Sequence, residues 1–389
     1  IDYSLDALHA AVHLTHRFIN ERNLPEKAFA VIDLAGSRAR RRAANHVERI
    51  DIARVIHEWT GVPLERLAEA DNNRFAEAET RLAEKLIGQT HVIEALCRVL
   101  RRGLAGFNEH RPLAGFLFLG PSGVGKTEMV KVLADFLFGQ RDAILRIDMS
   151  EFAEKHSVSR LIGAQPGYVG FDEGGQLTES LRKRPFQVVL FDELEKAHPD
   201  VLNLLLQILD EGHLSDSRGR RVSFANTVVI LTSNLGADCL DKTSGQIGFS
   251  TQEDENRGGE VLEAARHTLS PELWGRLDEK MVFYPLTSAE CEKIAALQLG
   301  SSAKSLFSER EITLTWDDNI LTYLISNGGY NTHTGARGMR QAIQRHIEGP
   351  LAEKILSGKI QAGNVVHLTL SADKILIERC ATVHELSMA

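Results

Sequence analysis

The sequence predicts an α/β protein, with a parallel sheet covered by helices on both faces and a smaller domain after it that mixes α and β. From about residue 90 to residue 285, helical segments alternate with short, continuously apolar segments, as is typical of buried parallel strands. One of these strands leads into a glycine-rich loop. From residue 286 onward, helices surround two alternating strands, at 312–316 and 365–370. These three observations together predict two domains of unequal size.

Composition narrows the class of protein. Of the 389 residues, 43% are hydrophobic and 25% are charged, which are ordinary values for a globular chain. No apolar run reaches the ~18–20 residues that a membrane span requires, and no secretory signal opens the chain. The four cysteines are scattered without a C-x-x-C pair, so we expect a reducing compartment and no structural metal.

The elements can be placed in chain order. Helical spacing of apolar residues predicts helices over 5–21, 50–68 and 75–86. Between residues 90 and 285, four apolar runs predict buried strands. They are 115–119, 143–147, 188–191 and 228–231.

Residues 120–127 read GPSGVGKT and match the pattern G-x-x-x-x-G-K-[ST] in full. The eight residues are Gly120, Pro121, Ser122, Gly123, Val124, Gly125, Lys126 and Thr127. A strand precedes the loop and a helix follows it, so backbone N–H groups point at one place, which binds phosphate. In this motif Lys126 reaches the β- and γ-phosphates, and the Thr127 hydroxyl binds Mg²⁺. The sequence therefore predicts a site for a nucleoside triphosphate and magnesium.

Two further strands end in polar side chains. Asp192 and Glu193 follow the strand 188–191, at the edge where parallel sheets bind ligands. We expect Asp192 to hold the magnesium shell and Glu193 to orient and deprotonate the attacking water. Asn234 follows the strand 228–231, and it either orients the water near the γ-phosphate or caps a helix. The residues 195–196 come too late to face the phosphate, so we expect a helix cap or surface positions there.

The phosphate loop, the strand ending in Asp-Glu and the strand ending in Thr-Ser-Asn, in this order, resemble the AAA+ ATPases. Three longer strings, at 146–152, 163–170 and 192–199, are similar to the second ATPase module of the Clp unfoldases. The resemblance extends from about residue 37 to about residue 372. Residues 1–36 resemble the end of the small domain of a preceding first module.

This resemblance implies five segments. They are a remnant of the first module's small domain (1–36), a linker with lead-in helices (37–78), a large nucleotide-binding domain (79–285), a small lid domain (286–373) and a C-terminal tail without an assigned role (374–389).

In the Clp family a glycine-flanked aromatic loop lines the central pore of a hexameric ring. The matching residues are Gly167, Tyr168, Val169 and Gly170. The resemblance implies that Tyr168 and Val169 grip an unfolded polypeptide, since a large aromatic ring can pack on any side chain. Residues 212–219 resemble a second pore loop.

The resemblance also assigns residues at the nucleotide. Arg276 matches the arginine finger, which reaches the γ-phosphate held by the neighbouring subunit; the alternative for this residue is an ordinary surface salt bridge. Residues 273–275 depart from the family's pattern, which has phenylalanine and then asparagine before this arginine. Arg337 matches the second sensor, which binds the γ-phosphate within its own subunit. Ile87 and Gly88 match the segment that packs on adenine.

Clp unfoldases divide into those that feed a ClpP-type peptidase and those that refold aggregates. Ile247, Gly248 and Phe249 form an apolar-Gly-apolar tripeptide in a polar loop, which is what a flexible peptidase-docking peptide requires. The first expectation is therefore a ClpA- or ClpC-like unfoldase that threads unfolded or tagged proteins, with adaptors where needed, into a peptidase. The alternative is a disaggregase of the same fold, in which this tripeptide is an ordinary loop.

Two other classes are kept as alternatives. An AAA+ nucleic-acid motor or clamp loader would bind DNA in a salt-sensitive way, but the net charge of −8 and Tyr168 argue against it. The basic cluster at 38–42 is expected to be a solvated linker face, and the cluster at 218–221 a pore or solvated face. A non-catalytic scaffold would lack Glu193 or Arg276. We thus expect no nucleic-acid or membrane partner, and a location in the bacterial cytoplasm or an organelle of bacterial descent.

Overall fold

The fold is described from a computed structural model of the chain. The structure describes residues 1–19, 23–60, 62, 64, 67, 77–107, 111–154, 157–164, 174–241, 251–331, 335–371 and 374–380.

The N-terminal unit is helical. Its elements are β1 (Asp2–Tyr3), α1 (Leu5–Phe18), α2 (Glu26–Arg41), β2 (His46–Val47) and α3 (Arg49–Thr60). Ser4 caps α1 by accepting a hydrogen bond from the N–H of Ala7 at 3.1 Å. The apolar faces of the three helices share one core, which includes Val31 and Ile56. The boundary expected between residues 36 and 37 therefore falls inside α2, and α3 packs with the helices before it.

A five-stranded parallel sheet forms the centre of the large domain. Its strands are β3 (Ala114–Leu119), β4 (Ile144–Asp148), β5 (Val188–Asp192), β8 (Val228–Ser233) and β9 (Glu279–Val282). They lie in the order β4-β5-β8-β3-β9, and all neighbours are parallel. A separate antiparallel hairpin consists of β6 (His213–Ser215) and β7 (Arg221–Ser223). Four of the sheet strands match the predicted ones, and β9 is an addition that the sequence did not indicate.

Helices cover both faces of this sheet. They are α4 (Ala78–Ala83), α5 (Thr90–Arg102), α6 (Lys126–Phe138), α7 (Val158–Ile162), α8 (Gln176–Lys183), α9 (Pro199–Glu211), α10 (Ala237–Asp241), α11 (Thr251–Thr268) and α12 (Pro271–Arg276). Successive residues of β3 enter opposite cores: Leu117 joins one and Phe118 the other. The continuously apolar strands are thus explained by burial on both sides, and the predicted fold class is confirmed.

The C-terminal domain is smaller and mixed. Its elements are α13 (Ser288–Arg310), β10 (Thr313–Trp316), α14 (Asp318–Leu324), α15 (Met339–Ile343), α16 (Gly349–Leu356), β11 (Val365–Ser371) and β12 (Lys374–Cys380). Thr287 and Glu290 form a capping box that starts α13. The segment 374–389 was expected to be a tail outside this domain. Its first residues instead form β12, which pairs antiparallel with β11 and buries Ile377.

Sheet order sets the position of the site. Strands β5, β8 and β3 are neighbours, so their carboxyl ends meet at one edge of the sheet. The register places Leu119 beside Ser233 and Phe191 beside Leu231. The loops after these three strands therefore start about 5 Å from the adjacent strand, and those after β5 and β3 about 10 Å apart across β8. Within the part of the chain that the structure describes, no helix has the length and apolar character to cross a membrane.

The central strand provides a test of the core. Phe118 is fully buried, and its ring centroid lies 5.0 Å from that of Phe283. We expect Phe118→Ala to lower the free energy of unfolding by about 3–5 kcal/mol, because it leaves a cavity between sheet and helices. Phe307→Ala removes a ring that is 58% exposed and should change the free energy of unfolding by less than ~0.5 kcal/mol. Urea unfolding of both variants measures this, and equal shifts would contradict the packing.

Candidate functional site

The backbone of the phosphate loop has the shape that its glycines allow. Gly120, Gly123 and Gly125 have φ of 138°, 78° and 107°, values that disfavour other residues. A Cβ atom at Gly120 would also clash with the carbonyl oxygen of Phe283. Gly125 directly precedes α6, whose first N–H groups have no partners within the helix and point into the loop. The loop is thus a concave cradle of N–H donors, suited to a phosphate group.

Lys126 links this loop to the neighbouring strand. Its ammonium donates to the carbonyl oxygens of Gly120 and Pro121, the latter at 3.1 Å, and to Asn234 Oδ1 at 2.8 Å. Burial lowers the pKa of Lys126 to about 8, against the opposing effect of nearby carboxylates, the largest from Asp192. The predicted phosphate-binding lysine and the predicted asparagine are therefore in direct contact.

Asp192 is held by the strands on both sides of it. Its Oδ1 accepts a hydrogen bond from the hydroxyl of Thr232 on β8, and its Oδ2 lies 2.6 Å from Arg146 Nη2 on β4. The sequence analysis gave neither neighbour a role at the site. Their proximity follows from the register of three strands, which pairs Phe191 with Leu231 and so puts Thr232 beside Asp192.

Glu193 has an unusual backbone and a partner of its own. Its φ of 58° and ψ of 51° lie in the left-handed region, which is uncommon for a residue other than glycine. Its Oε2 lies 2.5 Å from Lys196 Nζ, and this hydrogen bond is the main reason that the pKa of Lys196 is raised. Lys196 was expected to be a cap or surface residue; it is exposed, but it also holds the predicted general base.

Asn234 points into the site, because its side-chain oxygen accepts from Lys126 and not from the N–H of a following helix. Its backbone N–H donates to Glu195 Oε1 at 3.3 Å. The other carboxylate oxygen, Glu195 Oε2, is buried and has no hydrogen-bond partner. The expectation that Glu195 is a cap or surface residue is therefore wrong: the 3₁₀ turn Leu194–Lys196 carries it back under β8.

The segment assigned to adenine lies beside the phosphate loop. Gln89 is 1% exposed, and its Nε2 donates to the carbonyl oxygens of Tyr284, at 2.9 Å, and Val124, at 3.5 Å. Gly88 has a φ of 82°, and a Cβ atom there would lie 2.7 Å from Glu290 Oε1. Ile87 and Gly88 therefore lie where the phosphate loop meets the start of the small domain.

The small domain also contacts the phosphate loop through the turn that carries Arg337. The N–H of Ala336 donates to the carbonyl oxygen of Gly123 at 3.3 Å. A Cβ atom at Gly335 would lie 2.6 Å from the same oxygen. The turn that bears the predicted second sensor thus packs on the loop of its own subunit.

Arg276 lies at the opposite end of the sheet. It is the last residue of α12, and Asp278 just after it pairs its N–H with the carbonyl oxygen of Gly115 at the amino end of β3. The phosphate loop begins at Gly120, five residues beyond Gly115 and so about 17 Å away at roughly 3.3 Å per residue. Arg276 therefore does not reach the nucleotide site of its own subunit.

Among the basic residues at 218–221, Arg220 is paired with carboxylates. Arg220 forms ion pairs with Asp216 at 2.6 Å and with Glu179 at 2.9 Å. Two carboxylates therefore hold the Arg220 guanidinium.

The donor set fits magnesium bound together with a nucleotide. Magnesium in nucleotide sites typically takes one or two protein oxygens and completes its shell with phosphates and waters. Asp192 would supply one such oxygen at the sheet edge by exchanging its contact with Arg146, and Thr127 would supply another from the first turn of α6, where its side chain is exposed. In the described ranges, no group of three or more His, Cys, Asp or Glu could hold a metal without a nucleotide.

Two predicted sites lie outside the described residues. They are the pore residues Gly167, Tyr168, Val169 and Gly170, and the tripeptide Ile247, Gly248 and Phe249.

Three family models match the chain. An AAA domain (Cdc48 subfamily) matches residues 111–280, and the C-terminal, D2-small domain of ClpB protein matches residues 286–368. An AAA lid domain matches residues 1–85, so the N-terminal unit fits the tail of a first module.

Curated relatives share the name ClpB. Chaperone protein ClpB of Rhizobium meliloti is 46% identical over 332 residues, which are 85% of this chain and 37% of that protein. The ClpB of Rickettsia bellii is 45% identical over 334 residues, which are 85% of this chain and 38% of that protein. The chain therefore spans little more than a third of the curated relatives it matches.

Solved structures of Hsp104 have the same fold. The ADP complex of Saccharomyces cerevisiae Hsp104 has a TM-score of 0.85 and 34% identity, covering 96% of this chain and 64% of that one. A closed-state cryo-EM reconstruction of Hsp104 with ATPγS and FITC casein has a TM-score of 0.75 and 33% identity. The match covers 97% of this chain and 64% of that one. These relatives support nucleotide binding, and they favour the disaggregase alternative over the peptidase-coupled first expectation.

The pKa of Lys126 makes nucleotide binding depend on pH. Phosphates favour the charged ammonium, so binding above pH 8 requires uptake of a proton. We expect the affinity for a non-hydrolysable ATP analogue to fall up to about tenfold per pH unit above about pH 8 and to be flat below it. Fluorescent-nucleotide titration measures this. Lys126→Arg, which stays charged, should bind without this pH dependence; a flat profile for the unaltered protein would contradict the assignment.

Proposed function

The chain belongs to the Clp/Hsp100 family of AAA+ ATPases, and we propose that it carries the second ATPase module of a ClpB-like disaggregase. One observation carries the catalytic part of this proposal: Lys126 meets Asn234 at 2.8 Å, at the edge where Asp192 and Glu193 end β5. Similarity to ClpB along 85% of the chain supports the kind of machine.

Hydrolysis follows from the groups at this edge. The phosphates of ATP lie in the loop, and Lys126 exchanges its carbonyl acceptors for phosphate oxygens. Glu193 takes a proton from a water as the water oxygen attacks the γ-phosphorus in line, which breaks the bond to the β–γ bridging oxygen and leaves ADP and phosphate. Bound Mg²⁺ would offset the phosphate charge, and Thr127 and Asp192 would hold it.

The contact between Glu193 and Lys196 bears on this step. In this structure Glu193 Oε2 is occupied by Lys196 Nζ, so this contact has to open before the same oxygen can take a proton from water. The two side chains are 36% and 52% exposed, so the pair contributes little to stability and can open readily.

Two arginines connect the site to motion. The turn bearing Arg337 packs on Gly123, so loss of the γ-phosphate would release a contact between the large and small domains. Arg276 lies too far from its own site and would serve the next subunit of a homohexamer. Tyr168, in the pore, would then pull an unfolded polypeptide as the domains move. We place this work in the cytoplasm, without a nucleic-acid partner.

Removing the general base should separate binding from turnover. We expect Glu193→Gln to bind ATP with unchanged affinity and to lose at least about 100-fold of this module's hydrolysis, since the amide cannot accept the proton. Phosphate release measures the hydrolysis rate, and fluorescent-nucleotide binding to the same preparation measures the affinity. Normal turnover in the variant would remove Glu193 from the base role.

The choice between disaggregase and peptidase partner rests on function in the full-length protein. With Ile247→Ala and Phe249→Ala combined, we expect reactivation of an aggregated model enzyme within about twofold of the unaltered protein, because the loop would have no partner to dock. Adding a ClpP-type peptidase should not speed degradation of the substrate by either form. Degradation that requires Ile247 and Phe249 would restore the peptidase-coupled hypothesis.

A further inference from the structure

We infer that Asp210 is the positioning residue that orients the arginine finger, Arg276, toward the neighbouring subunit. The inference rests on the proposed role of Arg276 and names the group through which it acts. The two side chains form an ion pair, with Arg276 Nη1 2.6 Å from Asp210 Oδ1.

The ion pair fixes only one end of the guanidinium. Among the described residues, Arg276 makes no other side-chain hydrogen bond or ion pair. A guanidinium has five N–H donors in a planar fork, so Nη2 and Nε are left for an acceptor on another molecule. The two side chains are 49% and 44% exposed, so the pair lies at the surface where a neighbour could approach.

A different residue fixes the backbone. Arg111 donates from Nε to the carbonyl oxygen of Leu209 at 2.7 Å and from Nη2 to that of Arg276 at 3.0 Å. It thereby joins the last turns of α9 and α12, whose final carbonyls lack partners within the helix. The Cα position of Arg276 is therefore set without Asp210, and Asp210 acts on the direction of the side chain.

The surroundings show that this pairing is selective. Arg276 borders a shallow cavity of about 280 Å³ that also contains Asp210, Glu211 and Glu272. Glu211 is directed elsewhere, with Oε2 at 3.1 Å from Gln207 Nε2. In the described structure, the carboxylate of Asp210 alone pairs with Arg276, although three acidic residues lie in reach of the cavity.

Helix α9, which carries Asp210, also begins next to the turn that carries Glu193. Helix α9 begins three residues after the turn that carries Glu193 and Lys196, and Asp210 is its next-to-last residue. Its 13 residues span about 20 Å at 1.5 Å per residue. A displacement of the turn on hydrolysis would therefore move Asp210, and with it the finger that the subunit offers to the next one.

The first experiment is a double-variant cycle in the full-length protein. The turnover of this module is the part of ATP hydrolysis that Glu193→Gln abolishes. We expect Asp210→Asn to lower the kcat of this module roughly tenfold and to leave its nucleotide affinity unchanged. Combined with Arg276→Ala, Asp210→Asn should cause no further loss of kcat, because the side chain that it positions is already absent. Glu211→Gln makes the same charge change one residue on and should stay within about twofold of the unaltered protein.

The second experiment tests action between subunits. Asp210→Asn subunits are mixed with Glu193→Gln subunits, which have an intact finger but no turnover of their own; unaltered subunits are mixed in parallel as the reference. In the first mixture, an Asp210→Asn subunit whose neighbour is a Glu193→Gln subunit receives a correctly oriented finger. We therefore expect the turnover per Asp210→Asn subunit, divided by the turnover per unaltered subunit in the reference mixture, to rise with the fraction of Glu193→Gln subunits. A constant ratio means that the defect lies within the subunit and overturns the inference.

The outcomes separate the two proposals. If Arg276→Ala keeps full turnover, the arginine-finger role itself fails. If Arg276→Ala loses turnover while Asp210→Asn keeps it, or if the two losses multiply, only the positioning role of Asp210 fails.

Discussion

The structure depends on a lysine ammonium held partly out of water at the carboxyl edge of a parallel sheet. Such a group is costly unless acceptors surround it. Here the carbonyl oxygens of Gly120 and Pro121 and the amide oxygen of Asn234 supply them. A triphosphate would supply stronger, charged acceptors at the same place. A nucleotide would therefore replace the contacts of Lys126 by stronger ones of the same kind.

This contact also explains why the remaining parts are where they are. The lysine can meet Asn234 only because β8 lies between β3 and β5, and the same order puts Thr232 against Asp192. The polypeptide then leaves β5 through a tight turn at Glu193 and continues as α9, whose last turn, with Asp210, lies at the opposite end of the sheet. Helix α9 thus links the proposed general base to Asp210, the ion-pair partner of the proposed arginine finger on α12.

Much of the fold was predictable from the sequence, because buried parallel strands are apolar throughout and the phosphate loop is bounded by glycines. Four sheet strands and the residues of the phosphate loop were found in this way. Strand β9 was missed because its sequence Glu-Lys-Met-Val has two charged residues and only a short apolar run. Strand β12 was missed because its burial depends on pairing with β11, in a register that periodicity does not reveal.

The contacts within the site were less predictable than its residues. Arg146 and Thr232 touch Asp192 across strand pairs, which requires the strand order and not only the strands. Lys196 and Glu195 come close to the site because a 3₁₀ turn reverses the chain after Glu193, whereas an extended chain would carry them away. Tertiary geometry, and not residue type, decides these contacts.

The most direct test is a cryo-EM reconstruction of the full-length Glu193→Gln protein with ATP bound. The account predicts that the γ-phosphate contacts Lys126 and Asn234 of one subunit and the Arg276 guanidinium of the next. It also predicts that Lys126 no longer contacts the carbonyl oxygen of Pro121. Phosphates bound away from the edge formed by β3, β5 and β8, or an Arg276 beyond hydrogen-bond distance of every neighbouring phosphate, would contradict it.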